Sequence, residues 1–491
     1  MSFILAIDQG TTSSRAVLYD AQAQPVYTAQ QEFPQHYPAD GWVEHDPEDI
    51  WNSVLHCVQK ALTHAQSAGQ SVAAIGITNQ RETCLVWDKK TGQALYKAIV
   101  WQDRRTAEKC QALKDAGHEP LVTEKTGLLL DPYFSASKFS WILDHVEGAR
   151  ARAANGELAY GTIDTYLIWR LTGGASHLTD VTNASRTCVY NIGTGKWDED
   201  LLALFDVPGD GLPEVKDCAA NFGTTDMAVL GAEIPILGVA GDQQAAAIGQ
   251  GCFDVGDIKS TYGTGCFVML NTGNAQLKSK NRLLSTIAYG LHGQITYALE
   301  GSIFVAGAAV QWLRDGLGLI QSASETEALA RSLSSNNGLY LVPAFTGIGA
   351  PYWNPDARGL LSGITRATGK ADLVRATLES VCYQSYDLLA AMKEDGAQIK
   401  GLKVDGGMAA NDWVLQFLSD ILDMPVIRPK NMETTALGAA LLAGYQCGLY
   451  PDMARFSAAR NQDWVFSPRL SAQDRQKLLT GWQAAIQKTL L

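Results

Sequence analysis

Phe3-Ile-Leu-Ala-Ile7 runs into Asp8-Gln9-Gly10-Thr11-Thr12-Ser13-Ser14-Arg15, and a second short apolar run, Ala16-Val-Leu-Tyr19, follows. Two β-prone runs on either side of a polar, glycine-bearing turn predict a β-hairpin. The exposed N–H and hydroxyl groups of such a turn can converge on phosphate oxygens. Taken alone, D-x-G-T-T fits equally a turn in which Gly10 merely bends the chain and the hydroxyls cap backbone groups.

The pattern recurs. Ile258 to Tyr262, Gly263-Thr264-Gly265 and Cys266 to Leu270 repeat the strand-turn-strand order, so the chain reads as duplicated. At 491 residues it is too long for one core, since a domain takes roughly 100 to 200 residues. A boundary is expected in the glycine-bearing segment before the second hairpin (Gly249, Gly251, Gly256), giving domains 1–248 and 249–491.

Other elements place chemistry-bearing residues at strand ends. Ile234 to Ala240 reads as a buried strand stopping at Gly241-Asp242, with a helix starting in Gln243 to Ile248. Ala73 to Thr78 and Leu85 to Trp87 read as strands flanking Asn79-Gln80-Arg81-Glu82, and loops at strand ends commonly carry function. Leu402 to Asp405 enters the turn Gly406-Gly407, and a helix begins near Asn411. Asp46-Pro47-Glu48-Asp49 supplies an N-cap, a first-turn proline and acidic residues ahead of Ile50, Trp51, Val54, Leu55, Val58 and Leu62 at helical spacing. Mixed strands and helices in both halves imply an α/β architecture.

With 46% hydrophobic and 18% charged residues, the composition is that of a globular protein with ample core. A formal charge of −12 works against nucleic acid or an anionic membrane as partner and favours a small molecule. The nine cysteines are scattered from Cys57 to Cys447 without a C-x-x-C pair, which fits a reducing cytoplasm better than a disulfide framework or a zinc site. Neither an export signal nor a run of about 18 apolar residues is present.

Neither G-x-x-x-x-G-K-[ST] nor G-x-G-x-x-G occurs, which disfavours a P-loop or a Rossmann site. What remains is the pair of Gly/Thr/Ser hairpins with a strand-D-G-G turn downstream. Two long segments, Tyr133-Phe-Ser-Ala-Ser-Lys138-Phe-Ser-Trp141-Ile and Gly359-Leu-Leu-Ser-Gly363-Ile followed by Asp372-Leu-Val-Arg-Ala-Thr-Leu-Glu379, complete a pattern over nearly the whole length. The chain resembles the FGGY family of carbohydrate kinases. That resemblance implies a two-lobed actin/hexokinase-like (ribonuclease H-like) ATPase fold with the active site in the interdomain cleft. Asp8 to Arg15, Asn79 to Thr83, Trp101 to Arg105, Leu130 to Phe134 and Gly241 to Gln244 are most similar to family members that act on the three-carbon polyol glycerol.

The roles that follow are implied by the resemblance. Asp242 is the catalytic base, Arg15 neutralises charge on the transferred group, and Asp8 holds Mg2+. Arg81, Glu82, Tyr133, Asp242 and Gln243 bind the hydroxyls of glycerol, with Trp101 and Phe267 as an apolar wall. Thr11, Thr12, Ser13, Arg15, Thr264, Gly307, Gln311, Gly407 and Asn411 contact ATP, and a side chain at Gly407 is expected to block close backbone approach. Lys138, Asp164, Trp169, Asp180, Asn183 and Arg186 read as structural. A homodimer or homotetramer is implied. Without the resemblance, Asp242 reads rather as an N-cap, Arg81-Glu82 as a surface charge pair, and Trp101 and Phe267 as core.

Rival readings are a kinase of another polyol or ketose, such as erythritol, xylulose or dihydroxyacetone, and a non-catalytic ATP- or sugar-binding regulator or chaperone-like ATPase. Between Val215 and Glu233 the sequence departs from the glycine-rich loop tied in the family to inhibition by fructose 1,6-bisphosphate, so that control is not carried over to this chain.

Overall fold

The first hairpin is the spine of one half. In the computed structural model, which describes residues 2–345, 347–354, 356–430, 433–454 and 464–491, β1 (Ser2–Gln9) and β2 (Ser13–Tyr19) pair antiparallel with Asp8 opposite Arg15. With β3 (Pro25–Glu32), β4 (Ser71–Asn79) and β5 (Ile236–Gly241) they form a five-stranded sheet in the order β5-β4-β1-β2-β3. The pairs β1/β4 and β4/β5 are parallel, so Gln9, Asn79 and Gly241 finish together at one edge. Ligands of open α/β sheets sit outside these carboxyl ends.

The second hairpin repeats this. β6 (Asp257–Tyr262) and β7 (Cys266–Gly273) lie within a seven-stranded sheet with β8 (Leu284–Leu291), β9 (Gln294–Ile303), β10 (Gly401–Asp405), β11 (Val426–Arg428) and β12 (Trp464–Phe466). The order is β8-β9-β7-β6-β10-β11-β12, and helix α4 (Lys370–Glu394) packs on this sheet. Both hairpins expected from sequence are present, each strand longer than its apolar run.

Helix α1 (Pro47–Ser67) is capped by the Asp46 side chain, which accepts from the Glu48 N–H. It buries Ile50, Trp51, Val54, Cys57 and Val58 against Leu5, Ile7, Ala16 and Leu18 of the first sheet. The two strands read around Arg81-Glu82 differ from a simple pair. Cys84–Asp88 belongs to a separate four-stranded sheet with Glu44–His45, Ala98–Ile99 and Leu158–Thr162, so Gln80 to Thr83 crosses between sheets.

Helix α2 (Asp242–Gly249) leaves β5 and is crossed by α5 (Thr434–Gln446), which also packs its alanine-rich surface on Ile4, Ala6, Ala74 and Ala240 of the first sheet. The crossing is close because α5 carries a glycine there: a Cβ on Gly438 would stand 1.8 Å from the Ala245 carbonyl oxygen. Residues late in the chain therefore complete the packing of the first sheet. All nine cysteines are free, eight of them buried. Among the described residues, no helix is long and apolar enough to cross a membrane.

Candidate active site

Strand register decides which side chains can meet. Lys259, Met269 and Glu300 lie opposite one another across β6, β7 and β9, and Thr261, Phe267 and Ser302 form the next row. Paired residues project from the same face, so Lys259, Thr261, Phe267 and Glu300 share one side of the second sheet. Opposing them is the crossing segment after β4, where Glu82 adopts φ 61° while buried. Such strain in a non-glycine residue persists only where its surroundings fix it, and it clusters at functional sites.

The fixing groups are charges. Arg81 Nη1 donates to Glu300 Oε2 at 2.6 Å and to Gln244 Oε1 at 3.3 Å. Arg186 Nε donates to Glu82 Oε1 at 2.6 Å, and its Nη2 to Glu300 Oε1 at 2.8 Å. Burial pushes the Glu300 carboxyl up, but Arg186 and Arg81 outweigh it and hold it down at about 2. Arg81 Nε lies 3.1 Å from Asp242 Oδ1 without hydrogen-bond geometry, and Arg186 Nη1 likewise has no acceptor. Unmatched donors on buried guanidinium groups are costly unless a ligand oxygen completes them.

Asp242 is the first residue of α2, with its side chain about one-third exposed. Its Oδ1 accepts the Gln243 backbone N–H at 2.7 Å. Burial, then the neighbouring Glu82, pushes its carboxyl above the ordinary range against the pull of Arg81 and Lys259. Gln243 accepts from the buried Lys259 ammonium. Trp101 stands edge-on to Tyr133 and to Phe267, at ring-centre distances of 5.7 and 6.3 Å, so the aromatic wall joins two turn residues of the first half to a strand of the second sheet. Trp101 Nε1 also donates to Thr11 Oγ1 at 3.0 Å, tying the wall to the first turn. Tyr133 is held in turn by Lys138 Nζ, which donates to the Tyr133 carbonyl at 2.7 Å.

The first turn is braced from beneath. Gln80 Nε2 donates to Gln9 Oε1 at 3.0 Å and to the Gly10 carbonyl at 3.2 Å. It also faces His45 Nδ1 at 3.3 Å, while His45 Nε2 lies 2.6 Å from Gln35 Oε1. These partners select a neutral imidazole with the proton on Nε2. Burial, with His36 nearby, pushes its pKa down to about 3. Ser13 Oγ accepts from Gln30, and Thr12 is exposed. Asp8 is pushed up to about 6 by burial, with Glu433 and Asp242 adding to the rise and Arg15 opposing it. Arg15 itself is paired with Glu433 at the start of α5.

Thr264, Gly307, Gln311, Gly407 and Asn411 all line one cavity of about 480 Å³, with Tyr262, Ser324, Thr326 and Met408. Small-molecule sites fall in this size range. The second turn is seated on helix α3 (Gly307–Gln311), because the Gly307 N–H donates to the Gly263 carbonyl at 2.9 Å. A Cβ on Gly407 would meet no protein atom within 4 Å, so packing against the protein does not require glycine there. The constraint falls on Gly406, at φ 89°, where a Cβ would lie 2.5 Å from the Tyr262 carbonyl oxygen. The turn is glycine-bound by its packing on β6.

Residues 3–249 match the family model of the FGGY carbohydrate kinase N-terminal domain, and residues 258–447 match that of the C-terminal domain. The chain belongs to the FGGY family of carbohydrate kinases. Among its FGGY relatives, "Glycerol kinase" of Rhodospirillum centenum is 61% identical over 486 residues, covering 99% of this chain and 98% of the relative. The protein of the same name from Allorhizobium ampelinum is 61% identical over 491 residues, 99% of each chain. The crystal structure of Plasmodium falciparum glycerol kinase with ADP superposes with a TM-score of 0.96 at 36% identity, covering 100% of this chain and 99% of the other. The actin/hexokinase-like fold expected from sequence is the fold of this FGGY chain.

Neither Glu300 nor His45 stands out in the sequence; Gln80 and Gln244 lie in the family-like segments without a role of their own, and Arg186 reads there as structural. A glutamate inside the apolar run of β9 is the one local signal that could have found Glu300, because an acidic residue in a buried strand needs a cationic partner. Asp164, Asp180 and Asn183 do support the site indirectly: Asn79 and Asn183 exchange side-chain amide hydrogen bonds at 3.0 Å, Asn183 also donates to Asp180 Oδ1 at 2.8 Å, and Asn79 to Asp164 Oδ1 at 3.4 Å.

Proposed function

We propose that the chain transfers the γ-phosphoryl group of ATP to a terminal hydroxyl of glycerol, giving sn-glycerol 3-phosphate and ADP. The observation that carries this reading is the meeting of Arg81, Glu82 and Asp242 beside the Asp8 turn, under the Trp101–Phe267 wall. Glycerol has six heavy atoms, so about 9 kcal/mol is the ceiling of its binding and every hydroxyl has to be used. Arg81 donates and Glu82 accepts, Tyr133 and Gln243 complete the polar set, and charge-assisted bonds supply the stronger contacts.

Phosphoryl transfer asks for in-line positioning and charge neutralisation. The glycerol oxygen forms a bond to the γ-phosphorus as the bond to the β–γ bridging oxygen breaks, and the hydroxyl proton passes to Asp242. Oδ1 of Asp242 is engaged by Gln243 and Arg81, which leaves Oδ2 to take it. Thr11, Thr12, Ser13 and Thr264 offer hydroxyl and N–H groups to the phosphates, with Gly307, Gln311, Gly407 and Asn411 around the adenosine. Arg15 turns from Glu433 to the transferred group.

Mg2+ is part of the same reading. Among the described residues no group of three or more metal-ligating side chains converges. A magnesium ion carried by phosphates needs only one or two carboxylates. Asp8 fits, because its carboxyl is raised by burial beside two other carboxylates and a cation relieves that crowding. When bound, the ion neutralises charge on the phosphates.

Residues 1–248 then carry the polyol site and the first phosphate hairpin, and 249–491 the second hairpin and the adenosine site. A cytoplasmic homodimer or homotetramer completes the proposal. The test is ATP-dependent formation of sn-glycerol 3-phosphate by the purified protein, with erythritol, xylulose and dihydroxyacetone assayed beside glycerol. Preference for any of those three, or ADP release that does not depend on a polyol, overturns the assignment.

A further inference from the structure

We propose that Glu300 is a positioning residue for polyol specificity: from the second sheet it sets the Arg81 fork and, through Arg186, the Glu82 carboxylate, so the hydroxyl grip is assembled only when the two sheets face each other. This rests on the function proposed above and deepens it. Arg81 and Glu82 sit on a segment fixed to the first sheet, whereas Glu300 lies in β9, in the interior of the second. Both Glu300 oxygens are occupied by guanidinium groups, Oε2 by Arg81 Nη1 at 2.6 Å and Oε1 by Arg186 Nη2 at 2.8 Å, with Arg81 Nη2 at 3.4 Å from Oε1. Glu82 is reached by the same route, since Arg186 Nε holds it at 2.6 Å.

The arrangement is directional. Glu300 turns the Nη side of Arg81 toward the second sheet and leaves Nε against Asp242, where it has no acceptor in hydrogen-bond geometry. Glu300 occupies an interior row shared with Lys259, and its carboxylate is consumed by the two arginines. It therefore acts on substrate through them. A neutral or shortened side chain at this position lets both guanidinium groups relax, and misplacement of a binding group by about 1 Å is enough to cost a large factor in rate.

The test compares Glu300→Gln, Glu300→Asp, Arg81→Ala and the double variant Arg81→Ala/Glu300→Gln, using whichever polyol the wild type phosphorylates. Glu300→Asp keeps the buried charge, so it reports even if the glutamine variant fails to fold around two uncompensated arginines. The polyol KM should rise roughly 10- to 100-fold in each folded Glu300 variant, with the ATP KM changed by less than about twofold. Because Glu300 acts in part through Arg81, adding Glu300→Gln to Arg81→Ala should raise the polyol KM less than it does alone, the remainder passing through Arg186. A merely structural role would lower the melting temperature and leave the split between the two KM values unchanged, and that outcome overturns the proposal. An unchanged polyol KM in Glu300→Asp overturns it as well, with the functional reading intact. A wild type inactive on every polyol overturns both.

Discussion

Arg81 Nη1 and Glu300 Oε2 stand 2.6 Å apart, a bond that spans 219 residues of sequence and joins the segment after β4 to the interior of the second sheet. A buried ion pair is weak grounds for stability, because desolvation offsets its attraction, but removing one partner is costly. Its effect here is geometric. Hydroxyl donors, hydroxyl acceptors and the proposed base become a single charged unit of Arg81, Arg186, Glu82, Glu300 and Asp242.

Replacing the proposed base separates chemistry from binding. Asp242→Asn should keep the fold and the affinity for ADP while kcat falls roughly 10²- to 10⁴-fold, the usual worth of a general base. Coupled ADP detection with calorimetric ADP binding checks both halves, and near-normal turnover removes Asp242 from that role.

Arg81→Ala should raise the glycerol KM well above any change in the ATP KM. It should also destabilise the protein by about 3–5 kcal/mol, because Glu300 loses one of its two arginines in a buried site. Steady-state kinetics and thermal unfolding of one preparation read the two effects. An unaltered glycerol KM would sink the hydroxyl role.

Asp8 gives a pH signature. Its carboxyl is raised to about 6 by burial and neighbouring carboxylates, so it gains a proton as pH falls through that value. The proposed binding of a cation at Asp8 needs the ionised form and would compete with the proton. The acid limb of kcat/KM for ATP should therefore lie near pH 6 at low magnesium and move to lower pH as magnesium rises. In Asp8→Asn that movement should disappear.

His45 predicts a stability profile. Its folded pKa of about 3 lies below the ordinary 6.5, so the unfolded chain takes up a proton over that interval and the folded one does not. Stability from this group is fully present above pH 6.5 and is lost progressively as pH falls toward 3. His45→Gln, which cannot charge, should unfold with a shallower pH dependence between 6.5 and 4. An unchanged slope in denaturant titrations would count against a neutral, buried His45.

Gly438→Ala tests the helix crossing that seats Asp242. The added carbon meets the Ala245 carbonyl, so α5 and α2 have to separate. Overpacking of this kind costs about 1–3 kcal/mol. A lower melting temperature together with reduced kcat is expected, since α2 begins at Asp242.

Local chemistry made the two hairpins, the D-G-G turn, the strand ending at Gly241 and helix α1 legible in the sequence, because turn residues, capping and hydrophobic spacing act over a few neighbours. Thr264, Gly307, Gln311, Gly407 and Asn411, singled out through family motifs, border one cavity. Tertiary structure alone decided which strands share a sheet, the closure of the first sheet by α5, and the bracing of the first turn by Gln80 and His45. It decided the pairing of Arg81 and Arg186 with Glu300 for the same reason. A carboxylate in a strand has no local pattern that names a partner 219 residues away, and only the register of β9 against β7 turns it to the face where the arginines stand.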